Sequence, residues 1–406
     1  MTHRVVVTGW GVVSAIGQTA ASYWSNLVRG ICGIAEATLV PADQLTQKMV
    51  AEVKSFDPCK HFDKRQAAML DRVAQFAVVA AREAVAHCGI SFTDGLSEKT
   101  ATIIGTGVGG QNTQDDNYKR LYGEGAMRLH PLTIPKLMVN APASQVAMHC
   151  GLRGPAFAVA SACASATHAI GMAFHLVRSG AATCAVTGGA DACITFGTMK
   201  GWEAMRVMAP DTCRPFSRAR KGLVIGEGAA VVVLESLEHA RRRSASILGE
   251  IVGFGMTSDA HDLTSPDAGG MVRAIESALA DARLAPQDIQ YVNAHGTGTA
   301  SNDRVETIAI KRAFGRHAAR LAISSNKSMV GHALGAAGAL ELVATLMSLR
   351  EAVAPPTINY LGPDPVCDLD YVPNEARALS MHAALSNSFA FGGLNAVLAV
   401  RRMSSD

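Results

Sequence analysis

Three residues of this chain stand where side chains can do chemistry. Cys163 sits in "VASACASATHAIGMAFHLVRSG", where a short apolar strand gives way to a helix of small residues. His295 closes "YVNAH" ahead of "GTGTASND", and His332 lies in "SSNKSMVGHALGAAG", before a second small-residue helix. A thiol at a helix start meets unpaired N–H groups and the positive dipole end, which favour thiolate. A thiolate can take over an acyl group, and nearby imidazoles can move protons or donate hydrogen bonds. The plainer alternative is that Cys163 is a small buried residue, as free cysteines mostly are. That reading is preferred for the other eight cysteines.

Position separates these residues from their like. In open α/β sheets ligands bind at the carboxyl ends of strands, and all three fall there. The remaining histidines have ordinary settings: His3 at the terminus, His168 and His175 on a buried helix, His239 among arginines. A fourth element is "SNSFAFGGLNAVL", where Phe389 and Phe391 precede two glycines between strands. A strand crossing accounts for the glycines; so does a tight turn that aims a backbone N–H at a reacting carbonyl.

Two other chemistries fit less well. "GTGVGG", Gly105 to Gly110, matches the dinucleotide fingerprint, but the polar "QNTQDDNYKRLYGEG" after it lacks an apolar helix face. Close strand packing beside a site accounts for it better. The two histidines lie 37 residues apart, which is no local metal-ligand pattern, so no metal is expected.

Holding these residues in place requires an α/β frame. Strands are expected at "RVVVTG", "ATIIGTG", "AFAVASA", "TCAVTGG", "GAAVVVLE", "IQYVNAHG", "LAISSN" and "NAVLAVRR". One long helix is expected over "DKRQAAMLDRVAQFAVVAAREAVAHCG", capped by Asp63 with Gln66 and ended by Gly89. The helix after Cys163 and the one in "GHALGAAGALELVATLMSLREA" are both poor in charge, which places them side by side in the interior. The two segments share one plan. We expect duplicated α/β halves, residues 1–245 and 246–406, in a five-layer α/β/α/β/α arrangement, joined near "ESLEHARRRSASILGE".

The whole chain is consistent with this. Its 406 residues can bury a large core, and 49% hydrophobic with 17% charged residues is a soluble globular balance. A net charge of +3 gives no reason to expect nucleic acid as a partner. The nine cysteines include no CxxC pair, which points to a reducing cytoplasm. The chain opens directly on a strand without a signal-type core, and no apolar run approaches the ~18 residues of a membrane span.

The segments "VVVTGWGVVSAIG", "GLRGPAFAVASACASATHAIG", "CRPFSRARKGLVIGEGAAVVVLE", "YVNAHGTGTASNDRVE", "NKSMVGHALGAAGALE" and "NSFAFGG" occur in that order. Together they resemble the β-ketoacyl-acyl-carrier-protein synthases, decarboxylating condensing enzymes of the thiolase fold, over essentially the whole chain. The likeness is to the synthase II type. "WEAMRVMAPDTCRPFS" and "HGTGTASNDRVETIAIKRAFG" are particularly similar to nodulation protein E-like members.

The resemblance implies a role for each matched residue. Cys163 is the acylated nucleophile, and His295 and His332 bind the malonyl thioester carbonyl. Lys327 holds the electrostatics of His332, with Asp303 and Glu341 as buried supports. Thr297 and Thr299 contact the phosphopantetheine arm, which arrives on the carrier protein, so no resident cofactor is implied. The N–H groups of Cys163 and Phe391 form the oxyanion hole; Phe391 is also the gate, and Phe389 lies by the substrate. Val108, and Thr133 reaching across from a partner subunit, line the acyl pocket and leave room for a long or stiff chain.

The implied partner is an acidic acyl carrier protein, for which Lys60, Lys64, Arg65 and Arg72 are the candidate docking patch; an ordinary solvated helix end is the alternative. A homodimer is expected, with a heterodimer containing a chain-length factor as the other arrangement. Three departures from the family pattern stand out: Ala390 in the gate turn, which stiffens it, Asn326 before Lys327, and Leu394 after the glycines. A non-catalytic chain-length partner would lack the nucleophile, and a degradative thiolase would carry a second cysteine where histidines stand here.

Overall fold

A computed structural model describes residues 2–403. Its centre is a ten-stranded mixed sheet that divides into two halves of the same design. The N-terminal half contains β1 (Val5–Ser14), β2 (Thr100–Gly105), β3 (Ala156–Val159), β4 (Cys184–Asp191) and β5 (Gly228–Ser236). The C-terminal half contains β6 (Gly249–Ser258), β7 (Tyr291–Asn293), β8 (Ala322–Ser324), β9 (Ala383–Ala390) and β10 (Leu394–Arg401). In each half the strands lie in the order third, second, fourth, fifth, first. The second strand is parallel to its two neighbours, and the last pairings are antiparallel. The halves meet where β1 pairs with β6 through Val5–Ile251, Val6–Glu250 and Val7–Gly249.

The duplication extends to glycine placement. A Cβ on Gly9 or Gly11 of β1 would come within 2.2 and 2.0 Å of the Ala84 and Ala80 carbonyl oxygens. On β6, Gly253 and Gly255 stand in the same relation to Ala278 and Ala274, at 2.4 and 2.2 Å. A helix is thus seated directly on the junction strand of each half.

The helices complete the layers. In the N-terminal half lie α1 (Lys64–Met69), α2 (Arg72–Cys88), α3 (Gln111–Tyr118), α4 (Ala141–Cys150) and α5 (Ser165–Ser179). In the C-terminal half lie α6 (Ala268–Ala282), α7 (Ala300–Phe314) and α8 (Ala337–Glu351). Helices α2 and α4 cover one outer face and α6 and α7 the other, while α5 and α8 pack between the half-sheets. Every residue of α8 from Ala337 to Leu349 is buried, which accounts for its lack of a polar face. Gly338 admits the close crossing with α5, where a Cβ would fall 2.0 Å from Thr167 Oγ1.

Two expected elements differ. The long helix is broken at Leu70, whose ψ of 137° is extended. Asp71 causes the break: it caps α2 at Val73 N–H and also accepts the N–H and hydroxyl of Thr113 from α3. Those bonds need a non-helical backbone at the cap position. The polar stretch after "GTGVGG" does form a helix, α3, with Thr113 and Asn117 as its buried residues. The glycine loop itself serves packing, since a Cβ on Gly105 would meet Ser165 and Ala166 backbone at 2.4 Å.

Candidate active site

Cys163 follows β3 in a tight turn. Ala162 has φ +49°, a left-handed conformation that is strained for any residue with a side chain. Ser165 secures the turn, its hydroxyl accepting Ser161 N–H at 2.9 Å and donating to the Ala162 carbonyl at 2.7 Å. A single 3-10 turn, Ala162–Ala164, then leads into α5. The C-terminal half repeats the device: Leu334 has φ +46° and opens the turn Leu334–Ala336 before α8. His332 stands two residues ahead of that turn, so the duplicated plan brings thiol and imidazole to one point.

His332 Nε2 lies 3.0 Å from Cys163 Sγ. Leu334 N–H donates to His332 Nδ1 at 3.2 Å, which leaves the ring proton on Nε2, facing the sulfur. His295 packs beside it, ring centroids 5.4 Å apart and nearly perpendicular. The His295 and Gly296 N–H groups both donate to Glu306 on α7 at 2.8 Å, fixing the strand end. Lys327 Nζ donates to the His295 carbonyl at 2.6 Å and lies 3.4 Å from its Nδ1, so this ring also carries its proton on Nε2. Burial first, then the Lys327 charge, holds both imidazoles well below their usual range; they are neutral donors.

Lys327 acts on His332 through its charge, as expected, while its hydrogen bonds go to His295. Its ion pair with Glu341 is almost sealed, the two side chains being 1% and 2% exposed. Burial raises the Glu341 carboxyl, to about 7, against the pull of Lys327. The expectation for the thiol is corrected: burial pushes Cys163 up to about 11, opposed by Lys327 and the N–H groups of Phe391 and Cys163 itself. A helix start alone does not hold a thiolate here.

The turn expected to act as a gate joins β9 to β10 in a hairpin. Gly392 and Gly393 take φ +81° and +67°, and Ala390 stays in the strand ladder opposite Leu394. Phe391 stacks on Trp202 at 6.2 Å, and Phe389 meets His295 edge-on at 6.3 Å. The loop at Leu263 braces the turn, its carbonyl accepting Gly392 N–H at 2.7 Å. Together these enclose a cavity of about 400 Å³ lined by Cys163, both histidines, both phenylalanines and Trp202. Thr297 and Thr299 line it further out, their hydroxyls 2.9 Å apart. Asp303 lies beneath them and accepts the N–H groups of Phe216 and Gly298.

Val108 is not among the residues lining this cavity and packs against the Cys193–Ile194 cluster. Thr133, expected to reach into the pocket of a partner subunit, lines within its own chain a separate polar cavity of about 370 Å³ with Asn117 and Thr113. Arg72 is not a docking residue: it forms a two-point ion pair with buried Glu227 and lies over the Phe76 ring at 4.6 Å. Lys60, Lys64 and Arg65 are exposed. Wide sequence spacing was no bar to clustering, since the ligand atoms of Cys163, His295 and His332 lie within 4.8 Å of one another. Sequence reasoning missed Asp191, Glu306 and Trp202. Glu306 was legible, being one turn beyond Asp303 on the same helix face.

Acyl transfer through a thiol is the chemistry these groups share, and a thiolase-like fold is the frame that carries them. Two family models match consecutive parts of the chain: Beta-ketoacyl synthase, N-terminal domain, over residues 2–240, and Beta-ketoacyl synthase, C-terminal domain, over residues 248–361. The chain belongs to the beta-ketoacyl synthase family, the condensing acyltransferases. Nodulation protein E of Rhizobium sp. (strain N33) is 48% identical over 99% of this chain and 100% of that protein. The 3-oxoacyl-[acyl-carrier-protein] synthase 2 of Staphylococcus aureus (strain N315) is 41% identical over 99% of each. A solved structure described as the ishigamide ketosynthase/chain length factor superposes with a TM-score of 0.94 at 34% identity, covering 100% of both chains.

Proposed function

We propose that Cys163 carries the growing acyl chain through a decarboxylative Claisen condensation with malonyl-carrier protein. Cys163 Sγ attacks the acyl thioester as the thiolate, the N–H groups of Cys163 and Phe391 take the oxyanion, the carrier C–S bond breaks, and the proton given up by Cys163 ends on the departing carrier sulfur. Malonyl-carrier then enters along Thr297 and Thr299. Loss of carbon dioxide leaves an enolate whose oxygen accepts Nε2–H from His295 and His332. Its carbon attacks the acyl-cysteine, the C–S bond breaks, and a β-ketoacyl-carrier two carbons longer departs. The protein supplies the nucleophile and the donors, without a cofactor of its own. The observation that carries this reading is the pair of Nε2–H groups aimed at one cavity with the thiol.

The carrier docks on the exposed cations Lys60, Lys64 and Arg65. The chain acts in the cytoplasm, in keeping with nine free cysteines and the absence, among the described residues, of a helix long and apolar enough to cross a membrane. A second copy covers β3, an edge strand of the sheet whose Phe157 is exposed, as Ile134, Met138, Val139 and Met148 are elsewhere in the same half. A heterodimer in which this chain is the catalytic member is the second reading, favoured by the likeness to a ketosynthase/chain length factor.

Intact-mass analysis after incubation with acyl-carrier, with carbon dioxide release from malonyl-carrier, tests the proposal. An adduct on the native protein and none on Cys163→Ala supports it. Carbon dioxide release without an adduct, or neither, would sink it.

A further inference from the structure

Asp191 ends β4 with a fully buried carboxylate that no step above uses. Its Oδ1 accepts the Thr106 hydroxyl at 2.7 Å; its Oδ2 accepts the N–H groups of Gly107 at 2.9 Å and Gly335 at 2.5 Å. Thr106 and Gly107 follow β2 in the N-terminal half, whereas Gly335 belongs to the turn after His332 in the other. One carboxylate therefore ties a loop from each half together behind the thiol. The packing there has no slack: a Cβ on Gly335 would fall 2.2 Å from Gly107 N and 2.6 Å from Asp191 Oδ2.

The turn it grips is the strained one. Leu334, at φ +46°, directly precedes Gly335 and supplies the N–H that occupies His332 Nδ1. A leucine holds such a conformation only where its surroundings over-determine it. We propose that Asp191 is a positioning residue for His332: by clamping Gly335 it keeps Leu334 in the conformation whose N–H fixes the tautomer of the imidazole and its aim at Cys163. This rests on the reading of His332 as a donor at the reacting centre, but its first readout needs no substrate.

Asp191→Leu is the test, because a leucine of similar size accepts none of the three bonds that Thr106, Gly107 and Gly335 donate. The iodoacetamide alkylation rate of Cys163, per active thiol at pH 8, is expected to fall about tenfold, one unit of thiol pKa. The kcat of condensation should fall about thirtyfold while KM for malonyl-carrier stays within about threefold, since Thr297 and Thr299 lie on a loop that Asp191 does not touch. A role through charge alone runs the other way: the Asp191 carboxylate itself holds the Cys163 thiol up, so its removal would speed alkylation. Faster or unchanged alkylation overturns the proposal, as does loss of folded protein with a normal rate per thiol. Should this variant not fold, Thr106→Val removes one donor to Oδ1 and is expected to slow alkylation about threefold; no slowing overturns the clamp. If malonyl-carrier is not a substrate at all, alkylation still decides the clamp.

Discussion

His332 Nε2 stands 3.0 Å from Cys163 Sγ while Leu334 N–H occupies the far nitrogen of the same ring, so the thiol faces a donor and not a base. On the proposed mechanism the imidazole steadies negative charge on sulfur or on a substrate oxygen and takes no proton from Cys163. His332→Ala is expected to slow both acylation and condensation, the latter by about 10²–10³, the cost of one oxyanion donor. His295→Ala should slow condensation alike and leave acylation within about fivefold, as its ring is not bonded to the sulfur. Single-turnover kinetics of each half-reaction check this; equal effects on acylation would refute it.

The pH dependence should be that of a buried thiol. Burial raises Cys163 to about 11, so the thiolate fraction is small at neutral pH and grows as pH rises. Alkylation followed at the Cys163 peptide should climb about tenfold per pH unit from 7 to 10, without the plateau of an ordinary cysteine near 8.5. Both imidazoles lie well below 6.5, so no inflection is expected there. A plateau at about pH 8 would show a thiolate held by the helix start instead.

The Lys327–Glu341 pair is sealed, and its removal from one side strands a charge. Lys327→Met should cost about 3–5 kcal/mol in denaturant unfolding, with part of it recovered in Lys327→Met/Glu341→Leu. The double variant should fold yet remain slow, because His295 loses the donor that fixes its tautomer. A single variant of native stability would show that water reaches the pair.

Charge reversal separates surface from interior among the basic residues. Lys64→Glu with Arg65→Glu should raise KM for carrier-bound substrate about tenfold and leave turnover of a small thioester unchanged. Arg72→Glu should instead unfold the protein, since it would face buried Glu227. Unaltered carrier KM in the first variant removes the docking patch.

Ala390 pairs with Leu394 at the end of the β9–β10 ladder, which leaves residues 391–393 as the turn expected to move if the hairpin gates chain entry. Ala390→Gly is expected to lower stability by about 0.5–1 kcal/mol and to speed acylation by long primers. Stopped-flow acylation with short and long primers reads this; an equal gain for both would show that the hinge does not set chain entry.

Strand ends were the legible part of this chain. Cys163, His295 and His332 each follow an apolar strand, and the two histidines stand beside glycine-rich turns, a local pattern that fixes their edge of the sheet. What lay beyond reach was which partner each would meet across the duplicated halves. Lys327 is five residues from His332, yet the chain turns through Gly331 at φ +63° and sends its ammonium to His295. Arg72 shares a stretch with exposed cations, but the break at Leu70 turns it inward. Asp191 carries no signal beyond a carboxylate at the end of an apolar strand, because its partners come from residues 106, 107 and 335.

The two half-sheets are joined, among the described residues, by three paired positions of β1 and β6, but they share the α5–α8 layer, and that sets a limit on taking the protein apart. Cut near residue 245, either fragment would expose a helix evolved with almost no water-facing side. The seam visible in the strand order is thus a repeat in design and not a line of separation: each copy is the solvent of the other.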